Sequence, residues 1–159
     1  MRTISTAILG SVVLMLGACG SSSGGGNLSK IKGTWQPISY SSKVDCGANG
    51  AVEDTTGSNI TWSMGVSSDL VQTDPSTTCI INANLVASTA TAVPGQTCVV
   101  QDSSGDTISI SLTQYAFSLS ADFQTASEAG SGHAQVTFPD NTTASCSYSI
   151  QAQYHKIGT

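Results

Sequence analysis

The sequence predicts an all-β protein, an antiparallel small barrel of seven to nine strands, with a β-sandwich as the alternative architecture. Apolar and polar residues alternate along most of the chain after residue 28, as in half-buried strands. Serine and threonine make up 45 of the 159 residues and charged residues only 9%, a composition that suits strands and turns with a hydroxyl-covered surface. Helical periodicity is absent, so we expect at most one short helix.

The first predicted strand covers residues 30–42, where Trp35 is the large core residue and Pro37 marks an edge, a bulge or a bend. Residues 44–57 are rich in turn-forming side chains, so we expect a loop there. Two further strands each place their apolar residues on one face: Ile60, Trp62 and Met64 in one, and Cys79, Ile81, Ala83 and Leu85 in the other. A Pro-Gly turn then precedes a short strand that carries Cys98 and Val100.

The second half of the chain contains a change of phase. Even positions are apolar at first (Ile108, Ile110, Leu112), and odd positions are apolar afterwards (Tyr115, Phe117, Leu119, Ala121, Phe123). A slip of one residue turns the apolar set to the other face, so we expect a bulge or a tight turn near Thr113 and Gln114.

The last predicted element is a hairpin. Asp140 and Asn141 lie in its turn and tolerate the positive φ that such turns require. Its inward residues are Ala134, Val136 and Phe138 on one arm, and Cys146, Tyr148, Ile150, Ala152 and Tyr154 on the other.

The N-terminal segment has the layout of a signal peptide over residues 1–18. Arg2 precedes the uncharged apolar stretch AILGSVVLMLGA, which is too short and too interrupted by glycine to be a good membrane span. Its end, Leu16-Gly17-Ala18-Cys19, resembles the lipobox of bacterial lipoprotein precursors. The resemblance implies cleavage between Ala18 and Cys19, diacylglyceryl transfer to the Cys19 sulfur, and acylation of the new amino terminus by a chain such as palmitate.

Three segments follow from this interpretation. Residues 1–18 are removed, residues 19–28 form a lipidated cysteine with a flexible Ser/Gly tether, and residues 29–159 form a single all-β domain. We expect a protein of the bacterial cell envelope that is held at a membrane by its lipid. Gly20 follows the cysteine where Asp retains many lipoproteins at the inner membrane, which favours the outer membrane.

The charge balance restricts the partners of the mature chain. It carries four lysines against ten aspartates and glutamates, and the lysines are scattered. Such a chain has no basic patch, so we expect no nucleic-acid partner and no electrostatic binding to anionic lipid. The membrane contact then depends on the Cys19 lipid, with a protein or an envelope polymer as a further partner.

Four cysteines remain when Cys19 is set aside: Cys46, Cys79, Cys98 and Cys146. An even number in an exported chain predicts two disulfides, for which three connectivities are possible. We expect the first two cysteines to pair with each other, and the last two likewise. The chain has no CxxC pair, which argues against a zinc ribbon or a redox site, so we expect no metal and no cofactor.

Catalytic patterns are weak. His133 and His155 are the only histidines, and the chain has no G-x-S-x-G elbow beside which either could act. The segment DSSGD, residues 102–106, has the alternating oxygens of a calcium loop but lacks the remaining ligands, so a hairpin turn is favoured. Glu53 and Asp54 form the only adjacent acidic pair, in the predicted mobile loop. We therefore expect no enzymatic activity and no catalytic residues.

Gly33-Thr34-Trp35 resembles the G-x-W that begins lipocalin-like barrels. Five aromatic side chains could line a pocket in such a barrel (Trp35, Trp62, Tyr115, Tyr148 and Tyr154), although small barrels are usually filled by their own side chains, and we expect a filled core.

The leading functional hypothesis is a non-enzymatic binding or structural domain with a macromolecular partner. One alternative is a lipocalin-like carrier of a small apolar ligand, which requires a cavity of a few hundred Å³. Another is a periplasmic hydrolase inhibitor with residues 44–57 as a protruding loop.

Overall fold

A computed structural model describes residues 25–102 and 104–159, and the lipobox and Cys19 lie outside them. One seven-residue helix, α1 (Gly25–Ile31), precedes the strands. The strands are β1 (Gly33–Asp45), β2 (Ala51–Asp54), β3 (Ile60–Met64), β4 (Leu70–Thr73), β5 (Ile80–Val86), β6 (Thr89–Ala92), β7 (Thr97–Gln101), β8 (Thr107–Leu119), β9 (Thr125–Thr137) and β10 (Thr143–Lys156). Within this part of the chain, no helix is long and apolar enough to cross a membrane.

Eight of the strands form a closed antiparallel barrel. Neighbouring strands pair in the order β1, β3, β4, β5, β6, β8, β9 and β10, and β10 pairs again with β1 over most of its length. Closure removes the free edges of a sheet, which would otherwise offer unpaired backbone groups to other chains. The predicted barrel is therefore confirmed over the sandwich.

The other two strands widen one end of the barrel. β1 pairs with β3 near its start, at residues 33–35, and with β2 near its end, at residues 42–45. β8 does the reverse, because its start pairs with β7 and its end pairs with β6. The wall at this end thus contains β2 and β7 in addition to the long strands. We call it the open end, and the opposite end, where α1 lies, the closed end.

Two predicted irregularities are confirmed. The pairing of β8 with β9 shifts between Leu112 and Gln114, which places a bulge at the predicted change of phase. The pairing of β1 with β10 shifts between Pro37 and Ser39, because proline cannot donate to the ladder. The turn before β10 has Asn141 at a φ of 66°, as its sequence predicts.

The predicted strands differ from the observed ones in several places, and β8 ends at Leu119, before the predicted inward residues Ala121 and Phe123. The first strand starts at Gly33, and α1 occupies residues 25–28 at the end of the predicted tether. Residues 44–57 contain the end of β1, a 3₁₀ turn and β2, so they form a hairpin. β4 and β6 were not predicted, since four-residue strands display too little alternation. Met64 is exposed because it ends β3 where the chain turns.

The disulfide pairing differs from the expected one. Cys46 pairs with Cys146 and Cys79 pairs with Cys98. The register of β1 on β10 places Asp45 opposite Ser147, so barrel closure brings Cys46 beside Cys146 across a separation of 100 residues. The second disulfide joins Cys79, which directly precedes β5, to Cys98 of β7. Strands β5 and β7 do not pair with each other.

The inward side chains form two apolar clusters. The cluster at the closed end is built around Trp35, Trp62, Phe117 and Tyr154, and Ile31 of α1 is completely buried in it. The Trp35 indole donates a hydrogen bond of 2.8 Å to the carbonyl of Ile31, which fixes α1 across this end. The second cluster lies at the open end and contains the Cys98 and Cys146 sulfurs with smaller side chains.

Candidate ligand-binding cavity

A cavity of about 300 Å³ occupies the open half of the barrel. Its wall is mainly aliphatic, because the inward positions of the long strands carry branched side chains there. The aliphatic residues that line it are Val44, Val52, Ile60, Ile81, Val100, Ile108, Ile110, Leu112 and Ile150. The volume lies at the lower end of the range for small-molecule sites, so the space suits a small ligand.

The size of the inward side chains explains where the cavity lies. At the closed end, Phe117 packs against both Trp35 and Trp62 with ring centroids 5.3 Å apart. At the open end, β2 and β7 widen the wall while the inward residues are smaller. The expected filled core is therefore found only in the closed half, and the expectation is wrong for the open half.

The five aromatic candidates divide between the two halves. Trp35 and Trp62 belong to the filled cluster at the closed end, and the described part of the cavity wall does not include them. Tyr115, Tyr148 and Tyr154 line the cavity. Tyr40 also lines it, and the sequence did not single it out.

Three loops surround the mouth of the cavity, and each contributes an aspartate. Asp54 ends β2, Asp74 follows β4, and Asp102 follows β7. Their side chains order the loops as Asx turns. Oδ1 of Asp54 accepts from the Thr56 amide at 2.8 Å, and Oδ1 of Asp74 accepts from the Ser76 amide at 2.8 Å.

The segment predicted as a hairpin turn rather than a calcium loop is a turn. Oδ1 of Asp102 accepts hydrogen bonds from the amides of Ser104 and Asp106. Throughout the described residues, no group of three or more His, Cys, Asp or Glu side chains is arranged to hold a metal ion.

A buried carboxyl group forms the floor of the cavity. Glu128 is only 4% exposed and lines the cavity from β9. Its Oε2 accepts a hydrogen bond of 2.8 Å from the Tyr154 hydroxyl, and its Oε1 accepts from the Tyr115 hydroxyl and, at 3.3 Å, from the Gln72 amide. Four side chains from four strands thus form one network at the boundary with the aromatic cluster.

The electrostatics of this network are dominated by burial. Loss of solvent raises the pKa of Glu128 above its ordinary value, against the opposing effect of hydrogen bonds from Tyr115, Tyr154 and Gln72. Burial also raises the pKa of Tyr154, and the nearby Glu128 carboxyl adds to that rise. Both shifts favour the neutral form of the group.

The two histidines lie outside this site. His133 and His155 alternate with the buried Ala134 and Tyr154, so both imidazoles occupy the outer face of the barrel. They are on different parts of the wall, since His133 pairs with Ser147 and His155 pairs with Thr125. Neither histidine therefore lies beside the carboxyl groups of the cavity.

The two residues of the predicted acidic pair, Glu53 and Asp54, lie on opposite faces of β2. Glu53 points outward and accepts a hydrogen bond of 2.9 Å from the Ser41 hydroxyl, whereas Asp54 lines the cavity. Adjacent residues of a strand point to opposite faces, so the two carboxylates do not act together.

Glu128 and Gln72 were not among the site residues predicted from the sequence. Glu128 is in phase with the inward residues Ala134 and Val136, so extending that alternation back to Ala126 would have placed it inside the barrel. Gln72 has the same phase as the buried Leu70 in the short strand β4. A charged or amide side chain at an inward position was the available signal.

Comparison with known proteins gives no match for this chain among family models, curated proteins or solved structures.

Proposed function

We propose that this domain is a lipocalin-like carrier that binds a small, mainly apolar molecule inside the open half of its barrel. The observation that carries the proposal is the cavity of about 300 Å³, with aliphatic walls and a few polar groups at its two ends. Small-molecule sites have this character, since apolar walls supply most of the binding and a few polar groups fix the orientation.

The construction of the barrel supports a site for a small molecule over a macromolecular interface. The closed end is filled by aromatic rings and by Ile31, so a ligand does not enter from that end. The disulfide between Cys79 and Cys98 and the hydrogen bond of 3.0 Å from Thr78 Oγ1 to the Val99 carbonyl hold the wall together where β5 and β7 do not pair. A preformed wall reduces the ordering cost of binding.

The segment that an inhibitor would present is used differently here. Residues 44–57 form a hairpin whose strand β2 contributes Val52 and Asp54 to the cavity wall. The same hairpin is tied down by Cys46, which pairs with Cys146. These contacts favour a role in binding within the barrel over a role as a free inhibitory loop.

The first test is binding of a neutral fluorescent probe, N-phenyl-1-naphthylamine, to residues 20–159. This chain contains both apolar clusters and both disulfides, and without its lipid it needs no detergent. We expect saturable fluorescence enhancement. Val100→Trp, which fills the cavity from β7, should weaken binding at least roughly tenfold because the indole takes the place of the ligand.

Val99→Trp is the matched control. Val99 is the neighbouring residue of the same strand and is 50% exposed on the outer face. The Val99→Trp variant should bind the probe with the same affinity as the chain without the substitution. Absence of probe binding, or equal binding by the two variants, would contradict a ligand site in the cavity.

We further propose that the domain is anchored in the bacterial envelope by lipid on Cys19. Helix α1 begins at Gly25, so five residues separate it from Cys19. The chain enters the barrel at the closed end. The anchor would therefore hold the closed end towards the bilayer and present the open end, with the mouth of the cavity, away from it.

A further inference from the structure

The acidic groups of the described cavity wall are four carboxyl groups, of which three are at the mouth. Asp54, Asp74 and Asp102 surround its mouth and Glu128 lies at its floor, and no lysine, arginine or histidine belongs to the described part of its wall. Each of the three aspartates comes from a different loop. A ligand that enters the barrel therefore passes a ring of negative charge before it reaches the aliphatic wall.

The lysines of the described chain lie elsewhere. Lys30 and Lys156 are at the closed end, where their ammonium groups lie 5.7 Å from the Phe123 ring centroid and 5.5 Å from the Trp35 ring centroid. Lys43 forms an ion pair of 2.7 Å with Asp45 at the barrel surface. Lys32 lies between α1 and β1, and none of these four lysines lines the described part of the cavity wall.

The negative charge also acts inside the cavity. The carboxylate of Asp74 contributes to the rise in the pKa of Glu128, after burial. Burial raises the pKa of Tyr40 most, and the carboxylates of Asp54 and Asp74 add to that rise. Clefts with apolar walls concentrate such a field, which attracts cations and repels anions.

We infer that the ligand is a small apolar amine, with its hydrocarbon part between the aliphatic side chains and its ammonium group among Asp54, Asp74 and Asp102. This inference rests on the proposed function, since it specifies the ligand of the same cavity. A carboxylate-bearing ligand such as a fatty acid would bring its own negative charge against this ring, and like charges at close range are unfavourable.

The hydrogen bonds of the aspartates leave them able to bind an ammonium group. Oδ1 of Asp74 accepts from the Ser58 hydroxyl at 2.5 Å and from the Ser76 hydroxyl at 2.7 Å. Oδ1 of Asp54 accepts from both the amide and the hydroxyl of Thr56. These bonds converge on one oxygen of each carboxylate and orient it, while the second oxygen retains its capacity to accept.

The floor of the cavity is less suitable for the ammonium group. Both oxygens of Glu128 already have partners, in Tyr115, Gln72 and Tyr154. A charge placed there would also be buried far from water, which is unfavourable without a partner of opposite charge. The charged group therefore belongs at the mouth and the apolar group beneath it.

The test uses three ligands that have the same chain and different head groups: decylamine, decanol and decanoate. Each competes with N-phenyl-1-naphthylamine for residues 20–159. We expect decylamine to displace the probe at a concentration roughly tenfold lower than decanol, because several partly exposed ion pairs contribute. Decanoate should be the weakest competitor. Added salt should reduce the advantage of decylamine, since salt screens charges at the mouth.

The variant Asp54→Asn with Asp74→Asn keeps the oxygen that each turn uses and removes two charges from the mouth. It should lose most of the preference for decylamine and bind decanol as before. The matched control is Glu53→Gln with Asp122→Asn, which removes two exposed charges from outside the cavity. It should retain the preference.

The outcomes separate the two proposals. If the probe binds in the cavity but decanol or decanoate competes as well as decylamine, the carrier proposal stands and the amine inference is wrong. The Asp54→Asn, Asp74→Asn variant and its control could also lose the preference for decylamine to the same extent. This result would overturn the inference, because a general charge effect would explain it. If the probe does not bind, both proposals fall.

Discussion

The Tyr115 hydroxyl lies within hydrogen-bonding distance of two acceptor oxygens at once, Oε1 of Glu128 and Oε1 of Gln72. A phenol has one proton, so it can donate to only one of them. The Gln72 amide and the Tyr154 hydroxyl supply the protons for the other two contacts of the network. One contact of the network therefore has no proton. Exchanging the oxygen and nitrogen of the Gln72 amide leaves a different contact without a proton. A proton on Glu128 supplies the missing donor, in agreement with its raised pKa.

We therefore predict that Glu128→Gln is well tolerated at low pH and becomes favourable relative to the natural residue as the pH rises. A carboxyl whose folded pKa is raised binds its proton more tightly in the folded state than in the unfolded state. Its contribution to stability is complete below the unfolded value, near 4.5, and is lost as the pH increases through the folded pKa. Denaturant unfolding of both proteins across this range measures the difference.

The control for this experiment is Asp122→Asn. The Ser120 hydroxyl lowers the pKa of Asp122, followed by the amide of Gln124, so the stability that this carboxylate contributes is lost as the pH falls. The two variants should therefore show pH dependences of opposite sign. If the natural protein became more stable relative to the Glu128→Gln variant as the pH rises, this result would contradict a protonated Glu128.

The two disulfides should differ in their effect on stability. The Cys46–Cys146 bond closes a separation of 100 residues, and the Cys79–Cys98 bond closes one of 19. In the chain-entropy model the longer loop contributes about 4.7 kcal/mol and a loop close to the shorter length about 3 kcal/mol. Paired Cys→Ala variants, compared by denaturant unfolding, should rank in this order.

Peptide mapping without reduction tests the connectivity behind that prediction. Proteolytic fragments that contain Cys46 should remain joined to fragments that contain Cys146. A fragment in which Cys46 is joined to Cys79 would contradict the register of β1 on β10, because that register places the first pair together.

Gly132 should not accept a side chain. An ideal Cβ at this position would lie 2.2 Å from the Ser111 carbonyl oxygen of the neighbouring strand, beside the bulge after Leu112. The backbone of β8 would have to move, so Gly132→Ala should lower the free energy of unfolding by about 1–3 kcal/mol. Ser131→Ala, one residue earlier on β9, should change it by less than about 0.5 kcal/mol. Equal thermal midpoints for the two variants would contradict this packing.

The sequence predicted the barrel and most of its inward residues because strand alternation is a local property. The pattern from Ile108 to Leu119 contained even the position of the bulge. The cavity was less predictable, since it depends on how many strands share the wall. β2 and β7 pair with parts of β1 and β8 that the local pattern does not distinguish.

The floor of the cavity could not be predicted for a similar reason. Glu128 interrupts an apolar pattern, and its partners Gln72 and Tyr154 are 56 and 26 residues away. The cost of burying a carboxyl group is decided by these distant donors. The same holds for the disulfides, because the pairing of Cys46 follows from closure of the barrel and not from neighbouring residues.

The lipid anchor is tested by mass spectrometry of the protein extracted from membranes. If Cys19 carries diacylglycerol and an amide-linked acyl chain, the mature polypeptide should begin at Cys19. Its mass should exceed that of the unmodified polypeptide by the mass of these groups. Several acyl chains should hold the protein firmly, because each buried methylene contributes about 0.8 kcal/mol. The chain that begins at residue 20, exported by another signal peptide, should appear in the soluble fraction. An unmodified Cys19 in the membrane fraction would contradict the anchor and the orientation of the open end that follows from it.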